Sequence, residues 1–204
     1  MARTYIDLLA FPAGAGGRDT PSRLGWVAAY LGYSIVGILS RGKRTMPQPA
    51  IRVPDIQLVK VVEEGPSSTP AAELRVGIGK WAGQAAAAGT ADFIVPAPND
   101  MTAARSAAEN KVPVAYPYAG LLKEQAVKRS HLIKAWCTMH QYCGKHECPE
   151  ILVSGADDSY LMRDPRDLAC ALRACLGIPP QQALDWISST PQAILSRARE
   201  RGGG

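Results

Sequence analysis

Short runs of β-branched and other apolar residues alternate with longer Ala-rich or amphipathic stretches nearly from end to end of this chain. Strand-like runs fall at 5–11, 34–40, 56–63, 74–78, 91–95, 112–116 and 151–154. Helical stretches fit between them at 21–31, 80–88, 100–109, 121–142 and 165–176, stopped by Gly32, Gly89, Asn110 and Gly177, and the tail after Gly177 reads as helix throughout. Repeated βα units of roughly 25 residues require parallel strands, because each helix returns the chain to the same end of the sheet. No linker-like composition interrupts them, so one domain over 1–204 is expected.

A parallel sheet of this kind is either a barrel or a doubly wound nucleotide-binding fold. The second should show itself in the first βα turn, where Phe11 is followed by PAGAGGRDT. That loop has glycines but neither a Gly-Lys-Ser/Thr ending nor a G-x-G-x-x-G helix start, and Gly77, Gly79 and Gly83 are misspaced for one. The expected architecture is therefore an α/β barrel of about seven parallel strands, closed by the C-terminal helices instead of a full eighth unit. Asp164, Pro165 and Asp167 make a strong helix start, and Thr190 with Pro191 repeats it.

Barrel active sites lie where strands end. A metal-dependent phosphoesterase would need several His and carboxylates converging there. The three histidines, at 131, 140 and 146, instead fall in or just after one helix, and only Asp7, Asp157 and Asp158 are suggestive acids. No Ser/His/Asp or Cys/His signature appears. Cys137, His140, Cys143, His146 and Cys148 bring soft ligands close in sequence, but a spacing of three along a helix fans them by about 60° per step. They converge as a zinc site, from Cys143, His146, Cys148 and His140, only if Gly144 breaks the helix. Otherwise Cys137, His140 and Cys143 continue the apolar stripe of Leu122, Ala126, Ile133 and Trp136.

The formal charge is +5, and 15 of the 23 basic residues are Arg, the side chain that meets phosphate bidentately. One basic tract is Arg41, Lys43, Arg44 and Arg52; a second is Lys123, Lys128, Arg129 and Lys134, with Arg129 inside the apolar stripe and so expected to be paired or partly buried. The closing RARER reads as a frayed helix end. Aromatics are only 6%, which argues against a base-stacking sheet platform and for backbone contact with any nucleic acid. No long apolar span or export leader is evident, and five cysteines is an odd number, so a reduced, cytoplasmic, membrane-free protein is expected.

The run ILVSGADDSYLMRDPRDLACALRACLGIPPQQALDWISSTPQAIL resembles the C-terminal part of the archaeal and eukaryotic ribonuclease P protein component 3 family. There a strand ends in a Ser-Gly/Asp-Ala turn, followed by an Arg-x-Pro-Arg-Asp/Glu helix start, a Leu-Gly and a final Pro-x-x-Ile/Leu-Leu. Arg163, Pro165, Arg166, Asp167, Leu176, Gly177, Pro191 and Leu195 occupy those places. YIDLLAF and LGYSIVGIL are similar to the family's first βαβ unit, while the chain is shorter than the family around residues 60–90, so the fourth unit is the least defined.

The resemblance implies an incomplete TIM-like barrel, related to PHP phosphoesterases but without their His-rich metal set. It implies a non-catalytic protein subunit that binds no cofactor itself and supports a magnesium-using RNA in removing the 5′ leader from precursor tRNA. Its partners would be that RNA, ribonuclease P protein component 2 and other protein subunits, with precursor tRNA met indirectly. Arg163 and Arg166, beside a helix start, and the tracts Lys123, Lys128, Arg129, Lys134 and Arg41, Lys43, Arg44 are the expected phosphate contacts. Pairing of Arg163 and Arg166 with Asp164 and Asp167 is the structural alternative. A metal-dependent PHP-type phosphoesterase and a protein-binding scaffold barrel are the competing functions.

Overall fold

The computed structural model describes residues 3–11, 17–40, 56–63 and 74–202. Seven strands, β1 (Tyr5–Ala10), β2 (Tyr33–Ser40), β3 (Gln57–Glu63), β4 (Leu74–Ile78), β5 (Phe93–Val95), β6 (Val114–Pro117) and β7 (Glu150–Val153), pair in sequence order, every pair parallel. The expected strands are all present, with the fifth and sixth starting two residues later than expected.

Between them run α1 (Pro21–Tyr30), α2 (Ala82–Ala87), α3 (Met101–Asn110), α4 (Ala119–Lys123), α5 (Ala126–Lys145) and α6 (Pro165–Leu176), and α7 (Pro180–Asp185) and α8 (Ser189–Gly202) close the chain. Among the described residues no helix is long and apolar enough to cross a membrane.

Because most strands are buried on both faces, β3 with its half-buried Lys60 being less so, the sheet separates two cores, which is why its strands read as nearly continuous apolar runs. Ile6, Leu8, Leu39, Val61, Phe93 and Ile151 fill the inside, and α8 plugs it with Ile194, Leu195 and Ala198. Outside, Leu24, Val36, Ile94, Tyr116, Leu152 and Trp186 pack against the helices. Over β4 and β5 the covering layer is alanine: Ala85, Ala86, Ala103, Ala104 and Ala107 are buried between α2 and α3. A Cβ at Gly77 would stand 2.8 Å from that of Ala85, so the short α2 lies directly on the strand.

The seam between β1 and β7 replaces an eighth unit. At the strand ends Phe11 N–H donates to the Ala156 carbonyl at 2.8 Å and Gly155 N–H to that of Leu9 at 2.9 Å, while at the starts Ile6 and Leu152 N–H donate to the carbonyls of Ile187 and Trp186, between α7 and α8. Gly155 has φ +58° and a Cβ there would press into Pro117, so this turn requires glycine.

Three expectations need correction. The helix read at 121–142 is two helices, since Glu124 is extended (φ −80°, ψ 144°) and α5 restarts at Ala126 and runs on through Gly144 to Lys145. Arg129 stabilises the interruption, its Nη2 donating to the Glu124 carbonyl at 2.9 Å. RARER does not fray: α8 continues to Gly202, and both guanidinium nitrogens of Arg201 meet the Asp92 carboxylate. Finally, α8 begins at Ser189, with Gln192 N–H donating to the Ser188 carbonyl, two residues ahead of the Pro191 start expected behind a Thr190 cap.

Candidate nucleic-acid interface

Of the expected basic residues, Arg129 and Arg163 come near Tyr118 in the loop that follows β6, and Lys123 reaches Asp157 after β7. Because the helix breaks at Glu124, the first turns of α5 stand clear of the barrel, and residues 126–131 are all exposed. Arg129 is therefore exposed, not partly buried as the stripe suggested; the stripe packs only from Leu132 onward. Lys128 stands 4.0 Å from Glu124, and Lys123 forms an ion pair with Asp157. Lys134 is exposed one turn further along.

Arg163 approaches the same place from the other side. Its Nη1 donates to the carbonyls of Tyr160 and Met162, and its own carbonyl accepts the Tyr33 hydroxyl at 3.1 Å. The guanidinium thus spans a loop and pairs with neither Asp164 nor Asp167. Between Arg163 and Arg129 lies half-buried Tyr118, whose phenol is pushed up by burial against the opposing pull of those two charges. Arg166 is exposed on α6, and its backbone N–H donates to the Asp164 carboxylate at 2.8 Å. The α6 N-terminus is therefore capped by the chain's own acid, and its positive character is carried by the side chains of Arg163 and Arg166. Arg41, Lys43, Arg44 and Arg52 lie outside the described residues.

Beside this face an apolar cleft of about 550 Å³ opens between Pro98, Pro117, Gly120, Val127 and Leu132. Val127, at its rim, is 71% exposed.

The Cys/His group disperses. His140 meets Glu150 through Nδ1 at 2.9 Å, His146 stacks against Tyr142 with ring centres 4.4 Å apart, and Cys148 Sγ donates to the Val112 carbonyl. The neighbouring Cys148 thiol and burial push the Cys143 thiol up. With α5 unbroken at Gly144, Cys143, His146, Cys148 and His140 do not gather, and among the described residues no three His, Cys, Asp or Glu form a metal-holding group. Asp7 is buried in the β1–β7 seam, the Asp157 carboxylate pairs with Lys123 while its backbone carbonyl accepts the Arg18 N–H, and Asp158 caps the 3-10 turn at Ser159–Leu161.

Sequence reasoning missed the buried network on the outer wall of β7. Glu150 accepts from Tyr116 and contacts His140, while Tyr116 stacks on Trp186 at 5.6 Å and meets Trp136 edge-on at 5.2 Å. Burial pushes the Glu150 carboxyl up, and the hydrogen bond to Glu150 pushes His140 up.

A ribonuclease P protein component 3 from Methanococcoides burtonii is 29% identical over 96 residues, 47% of this chain and 39% of that protein. The matched part thus spans well under half of the curated relative. In fold, a chain of an archaeal ribonuclease P seen by cryo-EM with mature tRNA aligns with TM-score 0.75 at 14% identity, covering 95% of this chain and 90% of that one. An ochratoxinase from A. niger aligns more distantly, with TM-score 0.55 at 11% identity over 95% of this chain and 71% of its own. Both likenesses bear on the fold alone. The model of the family described as RNase P subunit p30 matches residues 94–202, which include β6, β7, the basic face and α6 to α8, and the chain belongs to that family.

Proposed function

We propose that this chain is a non-catalytic protein subunit of ribonuclease P, the ribonucleoprotein that removes the 5′ leader from precursor tRNA. Membership of the RNase P subunit p30 family carries this reading. Lys128, Arg129, Arg163 and Arg166 neutralise RNA phosphates, releasing counterions and letting negatively charged helices pack at a lower magnesium concentration. Magnesium serves the RNA, not this chain. Backbone contact of this kind carries little sequence preference.

The non-catalytic role draws on donor chemistry. All three histidines of the chain belong to α5 or its C-cap, on the outside of the barrel, whereas a phosphoesterase needs imidazoles and carboxylates together at strand ends. Pairing with another protein subunit, component 2 by the family resemblance, draws on the apolar cleft beside Val127.

Reconstituted precursor-tRNA cleavage, with and without this chain across a magnesium titration, tests the proposal. The expected result is a lower magnesium requirement with the chain present and no phosphodiester hydrolysis by the chain alone. Metal-dependent hydrolysis by the isolated chain overturns it in favour of the phosphoesterase reading. Partner-protein binding with no RNA affinity at low salt overturns it in favour of a scaffold.

A further inference from the structure

Among the described residues four large hydrophobic side chains stand exposed, and three of them are aromatic: Trp26 at 58%, Tyr30 at 84% and Tyr160 at 76%. They share one surface. On α1 the fully outward positions are Arg23, Trp26 and Tyr30, spaced i, i+3 and i+7, so they form one stripe while Leu24, Gly25 and Ala28 face the core. A solvated stripe of this kind is ordinarily charged or polar. Tyr160 joins it from the 3-10 turn that packs against α1, with the Arg23 guanidinium 6.0 Å above its ring. That contact orients the ring without covering it.

The surroundings select the ligand. Arg23 stands over the Tyr160 ring and Arg163 is tied to the Tyr160 carbonyl, so guanidinium groups edge that end of the stripe, and Arg18 is exposed in the segment leading into α1. The neighbouring acids are engaged: Asp19 accepts the Ser159 N–H at 2.7 Å and lies 3.4 Å from Arg23, and Asp158 accepts the Tyr160 N–H at 2.9 Å. The Asp19 carboxyl is accordingly held below its ordinary range, chiefly by the bond from Ser159. The third member of the α1 stripe is Arg23, a cation and not a further apolar side chain. Rings with open faces, edged by arginines on a chain of net charge +5, suit a strand whose bases stack while its phosphates meet guanidinium groups.

We propose that the outer face of α1, with Tyr160, is a stacking site for unpaired bases of RNA. Trp26 and Tyr30 lie about one helical turn apart, roughly 5.4 Å along the axis, which neighbouring nucleotides of one strand can span. The site lies outside the residues 94–202 that match the family model, apart from Tyr160. The overall scarcity of aromatics therefore does not decide the matter, because the few that are exposed are concentrated. The inference rests on the RNA-subunit reading and adds a preference for single strands, which phosphate contact alone does not give.

The test uses the full chain and two labelled RNAs of equal total charge, a single strand of about 10 nucleotides and a duplex. Binding is followed by fluorescence anisotropy for the wild type, Trp26→Ala/Tyr30→Ala and the ring-keeping Trp26→Phe/Tyr30→Phe, with circular dichroism confirming the fold. Expected is tighter wild-type binding of the single strand, a loss of about fivefold to a hundredfold per ring in the alanine variant, recovery in the phenylalanine variant, and unchanged duplex binding. Equal single-strand affinity in all three proteins overturns the stacking site while leaving the phosphate-contact reading standing. Wild-type protein that binds neither RNA overturns both. An alanine variant that keeps single-strand affinity but fails to join the reconstituted ribonucleoprotein makes the face a protein contact and overturns the inference.

Discussion

Asp7 and Ser154 lock the barrel across its seam: the Asp7 Oδ1 accepts the Ser154 N–H at 2.9 Å, and the Ser154 hydroxyl donates to the Leu9 carbonyl at 3.1 Å. The other carboxylate oxygen, Oδ2, is buried without a hydrogen-bond partner, and burial raises the Asp7 pKa from 3.8 to about 6. The proton is therefore bound more tightly in the folded chain than in the unfolded one. Stability is highest with Asp7 protonated and falls as pH rises from 3.8 to about 6, by about 3 kcal/mol in total. Asp7→Asn should abolish that slope. Urea unfolding of both proteins between pH 4 and pH 7 checks it; parallel profiles would mean that Asp7 does not titrate in this window.

How much of this was legible beforehand follows from range. The strands were readable because parallel strands buried on both faces leave uninterrupted apolar runs, as in YSIVGILS. The break at Glu124 carries no proline or glycine. It is held by Arg129 five residues on and flanked by the Lys123 pair with Asp157, a contact between distant segments that periodicity does not see. The basic face is half legible: its residues stand out in sequence as basic tracts, but the approach of Arg129 and Arg163 to Tyr118 needs the fold. Glu150 gave no signal, because one acid opening a strand looks solvated until Tyr116, His140 and Trp186 surround it.

The Arg201 and Asp92 pair ties the end of α8 to the sheet. Asp92 is nearly buried and also accepts the Arg75 N–H at 2.8 Å, so removing the arginine leaves a carboxylate still partly satisfied. Arg201→Ala should cost about 1–2 kcal/mol, and Arg201→Lys should restore only part of it, since lysine lacks the fork. The urea midpoints of the two variants measure this, and equal midpoints for wild type and alanine would refute it.

The His140 and Glu150 pair predicts a second pH dependence with a definite sign. Both groups have raised pKa values, so both favour the protonated form on folding. His140 contributes fully below its ordinary 6.5 and loses that contribution as pH rises through its higher folded value. His140→Ala should cost about 1–3 kcal/mol at pH 5.5 and clearly less at pH 9. Thermal unfolding at the two pH values checks it; a penalty that grows with pH would reverse the assigned sign.

Arg163 and Arg166 separate structure from binding. Arg166 is exposed and only its backbone is engaged, by Asp164, so Arg166→Ala should leave the unfolding midpoint unchanged. If its guanidinium meets a phosphate, the slope of log K against log salt for RNA binding should fall by about 1, equally for different RNA sequences. Arg163 additionally bridges the carbonyls of Tyr160 and Met162, so Arg163→Ala should reduce both the slope and the stability of the 159–163 turn. Hydrogen exchange over that turn, measured with the salt titration, distinguishes the two variants. An unchanged slope with Arg166→Ala in a folded chain would remove Arg166 from the interface and leave Lys128 and Arg129, on the projecting start of α5, as its centre.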